Sequence, residues 1–70
     1  MTQEQKVMEY ITDFGSITAL EAMMDLGIMR LASRVADLRM RGEPIVTEMV
    51  EVENRYGEKT HIARYRLEES

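Results

Sequence analysis

Residues 18–44 read TALEAMMDLGIMRLASRVADLRMRGEP, and how this stretch folds decides the architecture of the whole chain. Thr18, followed three residues later by Glu21, is a capping box: each side chain can satisfy a free backbone amide in the first turn of a helix. The helix it opens, about 19–26, should close at Gly27, because a left-handed terminal residue costs glycine almost nothing. Leu20, Met23 and Met24 are expected on its inward face. A second helical run, about 29–41, follows at once, with Leu31, Val35 and Leu38 sharing one face and Ala32 between them. Gly42 ends that run and Pro44 forbids its continuation.

Toward the N-terminus, Thr2 and Gln5 form another capping box, and Val7, Tyr10, Ile11 and Phe14 recur at the spacing of one helical face. This predicts a helix over about 3–14, ended by Gly15, with Ser16 and Ile17 as a short extended bridge. Toward the C-terminus the period changes. Ile45–Glu53 and Thr60–Leu67 are rich in β-branched residues, with aromatic ones in the second run, and Asn54-Arg55-Tyr56-Gly57 lies between them as a turn. Ala63, Tyr65 and Leu67 alternate with Arg64 and Arg66, which places the two sets on opposite faces of a strand. The register of this hairpin, about 45–67, is left open by the ambiguous length of its loop. Three helices, the second and third joined by a tight glycine turn, and then a hairpin make an α+β winged helix-turn-helix, one domain over 1–70. The turn departs from the usual pattern, which wants apolar residues six and nine positions after the glycine, at Ser33 and Ala36. A tighter connection or a rotated third helix is therefore expected.

At seventy residues and 8.1 kDa, folding hides only about 60% of the surface that the unfolded chain exposes, so the core must be thin. The absence of cysteine excludes disulfides, thiolate nucleophiles and thiolate zinc sites. No apolar run approaches the roughly 20 residues of a membrane helix, and the first residues lack the shape of a signal peptide; a cytoplasmic protein is expected. The net charge of −4 hides an uneven distribution. Residues 27–42 carry Arg30, Arg34, Arg39 and Arg41 against Asp37, and residues 54–66 carry Arg55, Lys59, Arg64 and Arg66 against Glu58. The flanking segments are acidic. Two basic segments embedded in an acidic chain are where a polyanion would be met.

On the third helix, Arg30, Ser33, Arg34, Asp37 and Arg41 form a stripe opposite the Leu31, Val35, Leu38 face. A guanidinium fork matches guanine acceptors and phosphate oxygens alike, so Arg30, Ser33 and Arg34 are candidates for the major groove and Arg41 for a phosphate. Asp37 can orient Arg34 or Arg41. At the hairpin tip Arg55 and Lys59 are candidates for phosphate contacts that position without reading sequence. Exposed arginines are as often merely solvated or paired, and Glu48, Glu51 and Glu53 could pair across the hairpin with Lys59, Arg64 or Arg66. His61 is the only histidine and reads as a strand-surface residue, with no metal or cofactor implied. Nothing combines nucleophile, base and orienter, and no glycine loop cradles a phosphate, so an enzyme is not expected. Met23, Met24, Met29 and Met40 are expected to fill the core around the second and third helices, with a plastic partner-binding surface as the minority reading.

The chain resembles the small winged helix-turn-helix proteins of bacterial phages and prophages. The resemblance runs through Gly15-Ser16-Ile17-Thr18, Leu26-Gly27-Ile28, Arg30 to Val35, Asp37-Leu38-Arg39, Gly42, Ile45 and Arg64 to Leu67, and is most specific from Arg30 to Arg39. It implies a DNA-binding fold in a phage or mobile-element setting. The same fold serves phages in small inhibitors of host defence, anti-CRISPR proteins included, whose partners are proteins. The leading expectation is therefore a duplex-DNA-binding transcriptional regulator or accessory factor, with homodimerisation open. The alternative is a protein-binding winged helix, either an inhibitor of a host defence nuclease or an assembly subunit.

Overall fold

A computed structural model describes residues 1–68; Glu69 and Ser70, the end of the expected 1–70 span, lie outside the described residues. Helix α1 (Gln3–Phe14) starts with the Thr2–Gln5 capping box, both of its hydrogen bonds made, and ends on Gly15 in the left-handed conformation. Strand β1 (Ile17–Thr18) leads into α2 (Ala19–Glu21), capped reciprocally by Thr18 and Glu21. A wider π-helical turn, Ala22–Leu26, continues α2 and stops at left-handed Gly27. Helix α3 (Leu31–Met40) follows, then strands β2 (Ile45–Glu53) and β3 (Lys59–Leu67).

The sheet has the order β1-β3-β2, antiparallel throughout. Its register, open on sequence grounds, runs from Ile45 opposite Leu67 to Glu53 opposite Lys59. The loop is held by Asn54, whose Oδ1 accepts from the amides of Tyr56 and Glu58 at 2.9 and 3.0 Å. Ser16 and Ile17 do more than bridge: Ile17 pairs with Tyr65 and Thr18 with Arg64, which ties the start of the second helix to the base of the hairpin.

One core collects a few residues from almost every element: Val7 and Ile11 of α1, Ile17 of β1, Ala22, Ile28, Leu31, Val35 and Leu38, and Ile45 of β2. The hairpin reaches it only at its base, with half-buried Tyr65 and Leu67 packed against it. The remainder projects, stiffened by cross-strand pairs such as Val50 opposite Ile62.

Three expectations about the core are corrected. Leu20 and Met24, expected inward, are 63% and 73% exposed, and Met23 is exposed too. The π-helical turn is the reason. The Gly27 amide donates to the Ala22 carbonyl five residues back, the Ile28 amide closes on the same carbonyl at 3.0 Å, and in this widened turn Ala22, not its longer neighbours, lies in the core. The misfit at the glycine turn comes from a longer connection and not the tighter one expected: Ile28 is buried within it, and the third helix begins at Leu31, two residues later than expected. Phe14 lies past the last core contact of α1 and is 71% exposed, its ring 4.7 Å from that of Tyr10. Finally, Met23, Met24, Met29 and Met40 are all surface residues, because branched Ile, Leu and Val side chains already fill the space between the helices.

Candidate nucleic-acid interface

The orientation of α3 is set by Leu31, Val35 and Leu38, all buried. At about 3.6 residues per turn, the positions diametrically opposite them are Ser33, Ala36 and Met40. Arg30, Arg34 and Arg41 lie about a quarter turn round toward α1, whereas Ala32 and Arg39 lie about a quarter turn round toward the sheet. The expected polar stripe is thus displaced to one flank of the exposed face.

That displacement decides what each side chain does. Arg34 is half-buried against α1, its Nη1 3.7 Å from Glu4 and its Nη2 3.5 Å from Asp37. Its Nε is buried with no hydrogen-bond partner among the described residues. Glu4 is held below the usual carboxylate range, first by its own backbone amide and then by the positive field of Arg34 and Arg41. Of the two arginines within its reach in sequence, Asp37 meets Arg34. Arg39, which was not a candidate, anchors α3 to the sheet. Its Nε donates to the Ile45 carbonyl at 2.9 Å and its Nη2 to the Thr47 hydroxyl at 2.8 Å. The guanidinium also sits 5.9 Å from the Tyr65 ring centroid. Its place four residues after Val35, beside the buried row, was the available signal.

Arg30, Arg41 and Arg55 stand free. Arg30 occupies the position before α3, exposed and making no capping bond, and Arg41 is exposed just after the helix. Among the described residues neither forms an ion pair, and the same holds for Arg55 at the hairpin tip, next to exposed Tyr56. Lys59 lies 3.5 Å from Glu51, as cross-strand pairing suggested. Arg64 and Arg66 converge on Glu48 at 3.0 and 3.3 Å. The Glu48 carboxyl is held below its ordinary range, chiefly by the hydrogen bond from Arg64. The stripe as read from sequence therefore contributes Arg30 and Arg41 as open cations and Ser33 as a half-buried hydroxyl; Arg34 and Asp37 are tied to each other and to α1.

What pattern reading missed is the composition of the outward row. Ala36 and Met40 on it are exposed, Met40 to 88%, and so are Ala32 on the sheet-side flank and Met29, 75% exposed, just before the helix. The four-residue spacing of Ala36 and Met40 was itself the signal, masked by the default that methionines fill cores.

Among the described residues no helix is long and apolar enough to cross a membrane, and no cluster of His, Cys, Asp or Glu could hold a metal ion. No curated protein and no solved structure matches the chain. A family model does, over residues 2–70, and its description as a winged helix-turn-helix domain agrees with three helices and an antiparallel hairpin wing. The chain belongs to the winged helix-turn-helix domain family.

Proposed function

We propose that this protein binds duplex DNA, with α3 in the major groove and the hairpin tip on the phosphate backbone, as a transcriptional regulator or accessory factor of a phage or other mobile element. The observation that carries this reading is the placement of the unpaired cations: Arg30 and Arg41 at the two ends of α3, and Arg55 at the wing tip. In a protein of net charge −4, whose other arginines are held by internal partners, these three are left to meet phosphates. Family membership supports it, since winged helix-turn-helix domains dock a helix in a groove. Lys59 adds to the backbone contacts when released from Glu51. Ser33 lies at the groove-facing centre of the first turn, and Arg34 reaches a base only by leaving Glu4 and Asp37.

The test is titration of pooled duplex DNA at several salt concentrations. Three or four phosphate contacts per chain give a slope of log affinity against log salt of about −3. Absence of binding at low salt overturns the reading.

A second reading is favoured by a specific feature. A groove of about 690 Å³ separates the start of α3 from the hairpin, lined by Leu20, Met29, Ala32, Val52 and Ile62. Leu20 and Met29 are exposed along it. An apolar groove of this kind suits a protein partner, as in an inhibitor of a host defence nuclease or an assembly subunit. Salt-insensitive capture of a protein together with failure to bind duplex DNA would establish that alternative.

A further inference from the structure

A helix lying in the major groove meets two kinds of surface: hydrogen-bonding edges on every base pair, and the 5-methyl of thymine, the one apolar group presented there. The side chains on the outward row of α3 determine which kind it can use. Here the row is Ser33, Ala36 and Met40, apolar apart from the half-buried Ser33 hydroxyl, with exposed Ala32 on its sheet-side flank and exposed Met29 in the connection before the helix. The forked side chains that would read guanine are turned elsewhere, Arg34 to Glu4 and Asp37, and Arg39 to Ile45 and Thr47.

We infer that α3 recognises its site through thymine methyl groups, contacted by Ala36 and Met40, with Ala32 at the edge of that surface. The inference rests on the duplex-DNA reading and names what that surface selects. Charge complementarity argues that a duplex, and not an apolar partner, covers the row: an unpaired cation stands beside each of its ends on the α1 flank, Arg30 before and Arg41 after a helix about 15 Å long at 1.5 Å per residue. Phosphates flank a groove floor on that scale, whereas an apolar protein surface would leave both guanidiniums facing it without partners. Side-chain size fits as well. Alanine lets the helix backbone approach the base edges closely, and methionine, unbranched and polarisable, adapts to a methyl at variable depth. Arg30, just before α3, is the unpaired arginine at its leading end, so a site rich in A·T pairs with at most an isolated G·C read directly is expected.

The experiment replaces thymidine by deoxyuridine in the best duplex selected from a random pool, which removes the methyl and leaves every hydrogen-bonding group in place. Each contacted methyl should be worth about fourfold in affinity, the value of one buried methylene-sized group, so replacing two or three should cost about 16- to 60-fold. Met40→Ala, at a position too exposed to threaten the fold, should shrink the thymine-to-uracil affinity ratio, and Met40→Leu should largely retain it. Arg41→Ala should weaken binding to both duplexes equally and leave the ratio unchanged. A selected duplex bound equally well with thymine or uracil overturns methyl readout while leaving DNA binding standing. A ratio unaffected by Met40→Ala removes Met40 from the reading surface. If no duplex binds at low salt, the underlying DNA reading itself falls, and the apolar row belongs to a protein partner.

Discussion

The two basic segments, residues 27–42 on α3 and 54–66 on the hairpin, have the same cation count, four each, and use it differently. In the helical segment the split follows the helix: Arg34 and Arg39, on its two flanks, stitch α3 to α1 and to β2, while Arg30 and Arg41, at its ends, remain open. On the hairpin the split follows distance from the core. Arg64 and Arg66 near the base share Glu48, Lys59 meets Glu51, and only Arg55 at the tip is unpaired. Charge counted along a chain is therefore not charge offered to a partner. The helix turns roughly half its cations inward because both flanks meet other elements, whereas the hairpin neutralises its own with the acids of the facing strand.

The largest effect that tests this contrast lies in the frame that orients α3. Leu31→Ala should cost about 2–5 kcal/mol, enough to unfold much of a domain this small, whereas Met40→Ala on the opposite face should stay within about 0.5 kcal/mol. Chemical denaturation of the two variants measures both, and similar losses would mean that α3 is rotated from the orientation described. Next come the two arginines that sequence alone would treat alike. Arg39→Ala removes two hydrogen bonds and the stack on Tyr65 and should cost about 1–3 kcal/mol, while Arg41→Ala should leave the melting temperature nearly unchanged.

Binding then sharpens the hairpin half of the comparison. Arg41→Ala and Arg55→Ala should each lower the salt slope of duplex binding by about 0.9, whereas Arg64→Ala should leave it unaltered. An Arg64 variant that lost slope would show that the Glu48 pair opens to the nucleic acid.

A smaller effect concerns acid. Glu48 and Glu4 are depressed in the folded protein, so their stabilising contribution is present above the ordinary carboxylate range and is lost as pH falls through their lowered values. Glu48→Gln should flatten that part of the acid unfolding curve, followed by circular dichroism. The smallest effect is at the far side of α1. The Tyr10 hydroxyl donates to Asp25 at 2.6 Å, and this bond, with burial and the nearby Glu21, pushes the phenol up to about 12. Its contribution is intact below the ordinary tyrosine value near 10 and is lost as pH rises through about 12. Near-ultraviolet titration should show Tyr10 ionising that late, and Asp25→Asn should bring it back toward its ordinary value.

The kinds of element and their order are properties of the sequence, because the signals that set them are local. The Thr2–Gln5 and Thr18–Glu21 boxes, the glycines after α1 and the π-helical turn, the Leu31, Val35, Leu38 row and the β-branched runs each act within a few residues. Two acid–base pairings across the hairpin were also among those the sequence suggested, Glu48 with Arg64 and Glu51 with Lys59. What the tertiary structure alone decided depends on segments distant in the chain meeting in space. The widened turn that buries Ala22 and exposes Leu20 and Met24 is selected by the fit of Ile28 and Ala22 into a core shared with α1 and β2. Recruitment of Ile17 and Thr18 to the sheet required β3 to arrive beside them. The division of the arginines into held and open followed from the same cause: Glu4 reaches Arg34, and Ile45 and Thr47 reach Arg39, only once the helices and the sheet have packed. Periodicity assigns a side chain to a helix face, but whether that face meets a carboxylate, a carbonyl or solvent is settled by the elements packed beside it.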